Sequence, residues 1–160
     1  MITEMHSLKD IYHKTIATGM GFGLSPFAPG TAGAFLAALL LYPISLFSSP
    51  DFLLIGLSVL FYVVGVYSTR YVEQLWNEKD PSRVVIDEVI GLWISIVFIP
   101  ITWTTAILAF FLFRLFDIWK PLGVRKLEAI GNGHGVMLDD VLAGVYANIV
   151  LQIIYYTVLK

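Results

Sequence analysis

The chain has 160 residues, of which 58% are apolar before its 13 glycines are counted, and only 14% are charged. Soluble domains carry about 25% charged residues, and the mean hydropathy here is +0.79, so an ordinary water-soluble domain is excluded and the bilayer is the expected solvent. A net charge of −2 with no basic run excludes nucleic-acid binding, and the absence of cysteine excludes a thiolate nucleophile or a Cys-ligated metal.

The first 30 residues carry scattered charges and no continuous apolar core, so no cleavable signal peptide is expected. Leu8, Ile11, Tyr12, Thr15 and Ile16 recur at helical spacing, which predicts either a short amphipathic helix on the membrane surface or a frayed tail. The stretch GMGFGLSPFAPGTAGAF, 19–35, follows. Its glycines and prolines oppose regular structure until Thr31, which is placed to N-cap the first span. Successive N–H groups there, with the hydroxyls of Ser25 and Thr31, could cradle an anion. A plain turn into the span explains the stretch equally well.

Five apolar segments come next, at about 31–48, 52–68, 86–100, 103–119 and 141–159. A crossing takes roughly 17–25 residues. The third segment reaches that length only if its helix starts near Pro81. Ser49-Pro50-Asp51 and Pro100-Ile101-Thr102 form short joints without Lys or Arg. Lys9 and Lys14 lie in the tail, Arg70, Lys79 and Arg83 in the 69–85 loop, and Lys120, Arg125 and Lys126 in the 120–140 loop. By the positive-inside rule this alternation predicts five spans with the N-terminus and both long loops cytoplasmic. A four-span version with a re-entrant third segment would put Arg125 and Lys126 outside. The expected fold is all-α: one polytopic helical membrane domain over 1–160 with four to five transmembrane helices and an acidic site on the cytoplasmic side. The GNGHG turn, 131–135, brings in His134, a residue expected to be solvated.

On that topology the polar residues collect at one surface. Asp87 and Glu88 begin the third span, Arg114, Asp117 and Lys120 end the fourth, and Asp139 and Asp140 begin the fifth. An ionisable group at a helix centre in the membrane costs about 2.5–3.5 kcal/mol, less near the interface. Capping explains one acid per helix start, not two, and not an acid in the last turn of the fourth helix, where the helix dipole disfavours it. Arg114, Asp117 and Lys120 are spaced by three and share one helical face, which Pro121 then ends. IDEVI (86–90) and LDDVL (138–142) echo each other, and chance suffices to explain the echo. Each is followed by small residues, Gly91 and Ala143-Gly144, which let helices approach closely. Clustered carboxylates without cysteine suit a hard cation such as Mg²⁺, and flanking Arg and Lys suit a phosphate.

GFGLSPFAPGTAG (21–33), VIDEVIG (85–91), FRLFDIWKP (113–121) and GVMLDDVLAG (135–144) together resemble the phosphatidylglycerophosphatase A family. The four pieces occur in the family's order. The resemblance implies a Mg²⁺-dependent lipid phosphatase of the bacterial inner membrane. Such an enzyme hydrolyses the terminal phosphate monoester of phosphatidylglycerophosphate to phosphatidylglycerol, working among membrane lipids. On this reading Asp87, Glu88, Asp117, Asp139 and Asp140 supply the metal ligands and a base for water. Arg114 and Lys120, with Ser25 and Thr31, hold the phosphoryl oxygens.

Two other enzyme classes lack their residues here. CDP-alcohol phosphatidyltransferases need a spaced Asp-Gly…Ala-Arg…Gly…Asp…Asp pattern, and histidine phosphatases of lipids need paired His and Arg motifs; neither occurs. A small cation or proton transporter is the non-enzyme alternative. It predicts acids lining a path to both surfaces, whereas these cluster at one.

Overall fold

Long apolar runs without a strand's alternation satisfy their backbone groups locally, and the lipid-compatible way to do so is a helix. The computed structural model describes residues 2–121, 123–127, 130–131 and 133–160, without the side chains of 2–6, 125 and 126. The charges of Arg125 and Lys126 and the Asn132 of the GNGHG turn therefore lie outside the described residues. Among the described residues every regular element is helical. In order these are α1 (Ile2–Ala17), a 3-10 turn (Phe22–Leu24), α2 (Pro29–Ser45), α3 (Pro50–Trp76), α4 (Ile86–Ile96), α5 (Trp103–Trp119), α6 (Val124–Leu127) and α7 (His134–Ile154), which a wider turn extends to Leu159.

The joints follow the prolines. Pro29 and Pro50 open α2 and α3 at the first helical position, where a missing N–H costs nothing. Lys120, in the left-handed region (φ 48°), ends α5 just before Pro121.

Two stretches, Pro50–Trp76 and His134–Leu159, are long and apolar enough to cross a membrane. Helices α2 and α5, with 17 residues each, stand at the lower limit. The third expected span departs from the sequence reading. Its helix starts at Ile86, not near Pro81, and its 11 residues measure about 16 Å, well short of a bilayer core of roughly 30 Å. The preceding residues are used otherwise. Val84 N–H closes a turn onto the Pro81 carbonyl (2.8 Å), and Val85 N–H donates to the Ala17 carbonyl at the end of α1 (2.8 Å).

This short helix is the centre of the molecule. Nine of its eleven residues are buried, and α2, α3, α5 and α7 pack around it. Trp93 fills the middle, its indole N–H donating to the Ala37 carbonyl of α2 (3.2 Å) and its ring meeting Phe61 of α3 edge-on. The end of α4 leaves carbonyls without an intrahelical partner. Asn148 of α7 donates its amide to two of them, Ser95 (3.2 Å) and Val97 (2.9 Å), and Gln152 in turn donates to Asn148 (2.8 Å).

Successive helices alternate in direction. At one level α2, α4 and α7 begin and α5 ends, with Gly30 against Glu88 and Arg114, and Lys120 against Asp139. At the opposite level Phe98 N–H, just past α4, donates to Asp51 Oδ1 in the first turn of α3 (2.8 Å). Large apolar side chains such as Phe35, Phe52, Tyr67, Phe111 and Ile153 are exposed on the outside of the bundle.

Helix α1 docks on the far end of α3. Tyr71 donates to Asp10 Oδ1 (2.6 Å), and His13 lies 3.1 Å from Ser68 Oγ with its ring stacked on Tyr71. Partial burial, helped by nearby Lys9, holds the His13 imidazole below its ordinary pKa. The apolar residues Leu8, Ile11 and Tyr12 are exposed, and the packed face of α1 carries the polar Asp10 and His13 together with Ile16 and the buried Ala17. A frayed tail is not what forms.

Candidate active site

Helix α4 presents Asp87 and Glu88 in its first turn, with Val85 at the N-cap and no side-chain cap. Helix α7 begins at His134, earlier than the 141 expected, because Gly133 (φ 75°) takes the N-cap position. Asp139 and Asp140 therefore sit about 9 Å along α7 rather than at its start, and neither caps it. Their side chains turn inward, and both are buried.

The echo between the two acid pairs extends to their bonding. Asp87 Oδ1 accepts from Glu88 N–H (3.1 Å), and Asp139 Oδ1 accepts from Asp140 N–H (3.1 Å). In each pair the first carboxylate is thereby held by the backbone of the second residue.

Helix α5 adds the cations. Arg114 Nη1 donates to Asp117 Oδ2 one turn on (2.6 Å) and lies 3.8 Å from Glu88 Oε1. Lys120 Nζ donates to Asp139 Oδ2 (2.6 Å). The three-residue spacing in FRLFDIWKP thus hands one cation to Asp117 on its own helix and the other to Asp139 on α7.

All five acids and both cations line one cavity of about 320 Å³, with Ala28–Gly30 at the start of α2 and Asp80–Ser82 before α4. Gly30 is required by close approach. A Cβ there would overlap Glu88 Oε1 and lie 3.0 Å from Arg114 Nη1.

Two sequence-predicted residues are elsewhere. Thr31 is not the N-cap; it is the third residue of α2 and exposed, because Pro29 starts the helix and Ala28 takes the cap position in the left-handed region (φ 46°). Ser25 Oγ donates to the Phe27 carbonyl (2.8 Å), a local turn bond. Neither hydroxyl lines the cavity. His134 is exposed beside Tyr62 (3.0 Å) and also lies outside it. Asp80 was missed by sequence reasoning, although an acid in a left-handed position (φ 50°) before Pro81 marks a tight turn.

One oxygen from each of Asp87, Glu88 and Asp140 lies within 4.8 Å of the others. Oxygens held at about 2.0–2.1 Å on a Mg²⁺-like ion stand about 3–4 Å apart, so these three would have to draw together by about an ångström or more to share one ion. Glu88 Oε2, Asp140 Oδ2 and Arg114 Nε are buried without a hydrogen-bond partner among the described residues. An orphaned buried polar group costs about 1–3 kcal/mol, more when charged. The two orphaned carboxylate oxygens and the all-oxygen donor set fit a hard divalent cation, whereas the Arg114 N–H calls for an acceptor such as a phosphoryl oxygen.

Charge makes the same demand. Counting Asp80, six carboxylates face two cations in the cavity. An anionic substrate entering it meets net repulsion unless a metal offsets the acids.

The description of phosphatidylglycerophosphatase A matches residues 15–155, which include every residue of the acid cavity. The chain belongs to the phosphatidylglycerophosphatase A family. As a member it is a phosphoric monoester hydrolase. It is similar to the phosphatidylglycerophosphatase A of Haemophilus influenzae, with 39% identity over 90% of this chain and 89% of the relative. The Escherichia coli phosphatidylglycerophosphatase A is 34% identical over 87% of this chain and 81% of the relative. A provisionally named phosphatidylinositol-3-phosphatase of Bacteroides thetaiotaomicron is 49% identical over 86% of this chain and 90% of the relative. No solved structure matches the chain.

Proposed function

We propose that this protein is a Mg²⁺-dependent phosphatase that removes the terminal phosphate monoester of phosphatidylglycerophosphate. It does so at the cytoplasmic face of the bacterial inner membrane, leaving phosphatidylglycerol and inorganic phosphate. The observation that carries the reading is a cavity in which three acids within 4.8 Å of one another stand beside two acid-tethered cations.

Asp87, Glu88 and Asp140 would hold the metal, which when bound supplies electrostatic neutralisation of the phosphoryl oxygens. Arg114 and Lys120 are positioned by Asp117 and Asp139 and bind the remaining phosphoryl oxygens. One of these two tethering acids takes a proton from the attacking water as its oxygen bonds to phosphorus. The bond from phosphorus to the glycerol oxygen breaks, and that oxygen leaves with the proton the acid has taken from the water. The start of α2, with Gly30 against Glu88, closes the cavity on the headgroup side.

Five membrane traverses, with α4 as a buried short one, account for the alternating helix directions and the exposed apolar exterior. The contact of Phe98 with Asp51 supports a full traverse by α4 and its following loop over a re-entrant one. The transporter alternative is disfavoured because the acids lie at one end of the bundle, with Phe113, Gly91 and Gly144 packed beneath them.

The name of the Bacteroides relative favours a second reading, a phosphoinositide substrate, since the cavity chemistry suits any phosphomonoester lipid. Phosphate release by the detergent-purified protein from phosphatidylglycerophosphate, phosphatidylinositol 3-phosphate and phosphatidic acid, with Mg²⁺ or EDTA, decides between them. Metal-dependent release that favours phosphatidylglycerophosphate is expected, and Asp117→Asn should abolish it. Release without metal, or full activity in Asp117→Asn, would overturn the mechanism.

A further inference from the structure

Beside the acid cavity a groove of about 780 Å³ runs between α5 and α7. Phe116 and Trp119 form one wall, Tyr146, Ile149 and Val150 the other, and Lys120 stands at its mouth. Except for that ammonium and the Tyr146 hydroxyl, the lining side chains are hydrocarbon or aromatic. Lys120 also lines the acid cavity, so one residue joins the two spaces. Two other apolar cavities, both beside Trp103 between α2 and α5, share no residue with it.

The groove descends in the right direction. Helix α7 carries Asp139 at the level of Lys120, and Val150 lies about 16 Å further along the helix axis. Trp119 and Ile149 are more than half exposed, so the groove opens sideways to whatever surrounds the bundle. A ligand seated here has its anionic end on Lys120 and its apolar length along α7. That is the charge pattern of a lipid with a phosphate-bearing head.

We infer that the α5–α7 groove seats an acyl chain of the phosphomonoester lipid substrate and that Lys120 at its mouth sets the headgroup's entry into the acid cavity. The inference rests on the lipid-phosphatase reading and assigns its substrate a route. The substrate arrives laterally, chain first into the groove, and its terminal phosphate reaches the acids without leaving the membrane surface.

The test is photolabelling of the full-length protein in detergent by phosphatidylglycerophosphate carrying a diazirine in one acyl chain. Unlabelled phosphatidylglycerophosphate and phosphatidylcholine of the same chains serve as competitors. Label is expected on the segment 146–150, displaced by the phosphomonoester lipid and not by phosphatidylcholine. Ile149→Trp should lower that labelling about tenfold, the equivalent of roughly two buried methylenes. Labelling elsewhere, or equal displacement by both lipids, would overturn the inference and leave the groove to bulk lipid. If Ile149→Trp does not fold, the competition on the native protein still decides. Phosphate release is measured in parallel, so a protein that labels as expected but releases no phosphate fails the phosphatase reading and not this one.

Discussion

Gly91 and Gly144 meet backbone to backbone where α4 crosses α7. A Cβ on Gly144 would overlap the Gly91 carbonyl oxygen and lie 3.0 Å from its carbon, and a Cβ on Gly91 would lie 2.7 Å from the Asp140 carbonyl oxygen. One turn above this contact stand Glu88 and Asp140. The closeness of the two helices is what brings the acids of α4 within reach of those of α7.

Gly144→Ala should therefore act on stability and on the site together. A methyl forced against backbone cannot be relieved by a rotamer change, and overpacking costs typically about 1–3 kcal/mol. A lower melting temperature in detergent and a weaker Mg²⁺ dependence are expected. An alanine variant with native stability and native metal response would show that the helices are not held at this separation.

Gly30→Ala should separate the two effects. Its Cβ would displace Glu88 Oε1 and crowd Arg114, but Gly30 is only half-buried at the start of α2. Glu88 would have to move away from Asp87 and Asp140, the acids proposed to share a metal with it. Phosphate release should fall by at least about tenfold, more than 1.4 kcal/mol of transition-state stabilisation, with the melting temperature nearly unchanged. A large loss of stability with normal specific activity in the folded fraction would contradict the placement.

The acids were legible in the sequence because an ionisable group in so apolar a chain needs a reason. The spacing of Arg114, Asp117 and Lys120 gave their common face, and the glycines after each acid pair marked the close approach. The length of α4 was not legible: hydropathy continues from Val84 to Ile99, and only the bond from Val85 to Ala17 and the turn at Pro81 show where the helix begins. That Thr31 does not cap α2 and that neither Ser25 nor Thr31 lines the cavity was not legible for a related reason. Gly/Pro-rich composition gives the existence of a turn and not which atoms it presents. Asp80 was hidden in a charged loop, where an acid is unremarkable until the fold brings it to the cavity.

The packed face of α1 predicts a pH response outside the membrane core. His13 titrates below 6.5 in the folded protein, through burial first and Lys9 second, while Asp10 opposes the shift. Near 6.5 the unfolded or undocked histidine takes a proton that the docked one resists. The docking stability is thus present above that pH and lost as pH falls through the lower folded value. Tyr12, Tyr71 and Ser68 also face His13 and offer it no carboxylate. Amide exchange in α1, corrected for its intrinsic rate, should quicken on acidification from pH 7 to 5 and do so less in His13→Gln. Uniform protection across that range would refute the argument.

Asn148→Leu should destabilise without touching the cavity. The change leaves the part-buried Ser95 and Val97 carbonyls without their amide donor, at up to about 1–3 kcal/mol for an unsatisfied group. Leucine keeps the branched heavy-atom outline but is bulkier, so Asn148→Ala is measured beside it to separate overpacking from the lost amide. A lower melting temperature with an unchanged Mg²⁺ requirement is the expected result.

Asp140→Asn tests the metal site by a route independent of turnover. In the native protein without metal, Asp87, Glu88 and Asp140 are crowded acids with two orphaned oxygens between them, so the site opposes folding. A bound ion reverses that and stabilises the fold by mass action, about 2.7 kcal/mol at a concentration one hundred times Kd. Removing one carboxylate relieves the repulsion and deletes a ligand at once. The variant should melt no lower than the native protein in EDTA, yet gain little on addition of Mg²⁺. A native-sized Mg²⁺ stabilisation in Asp140→Asn would remove this acid from the metal set. A lower melting temperature in EDTA would mean that its role is to hold the bundle together.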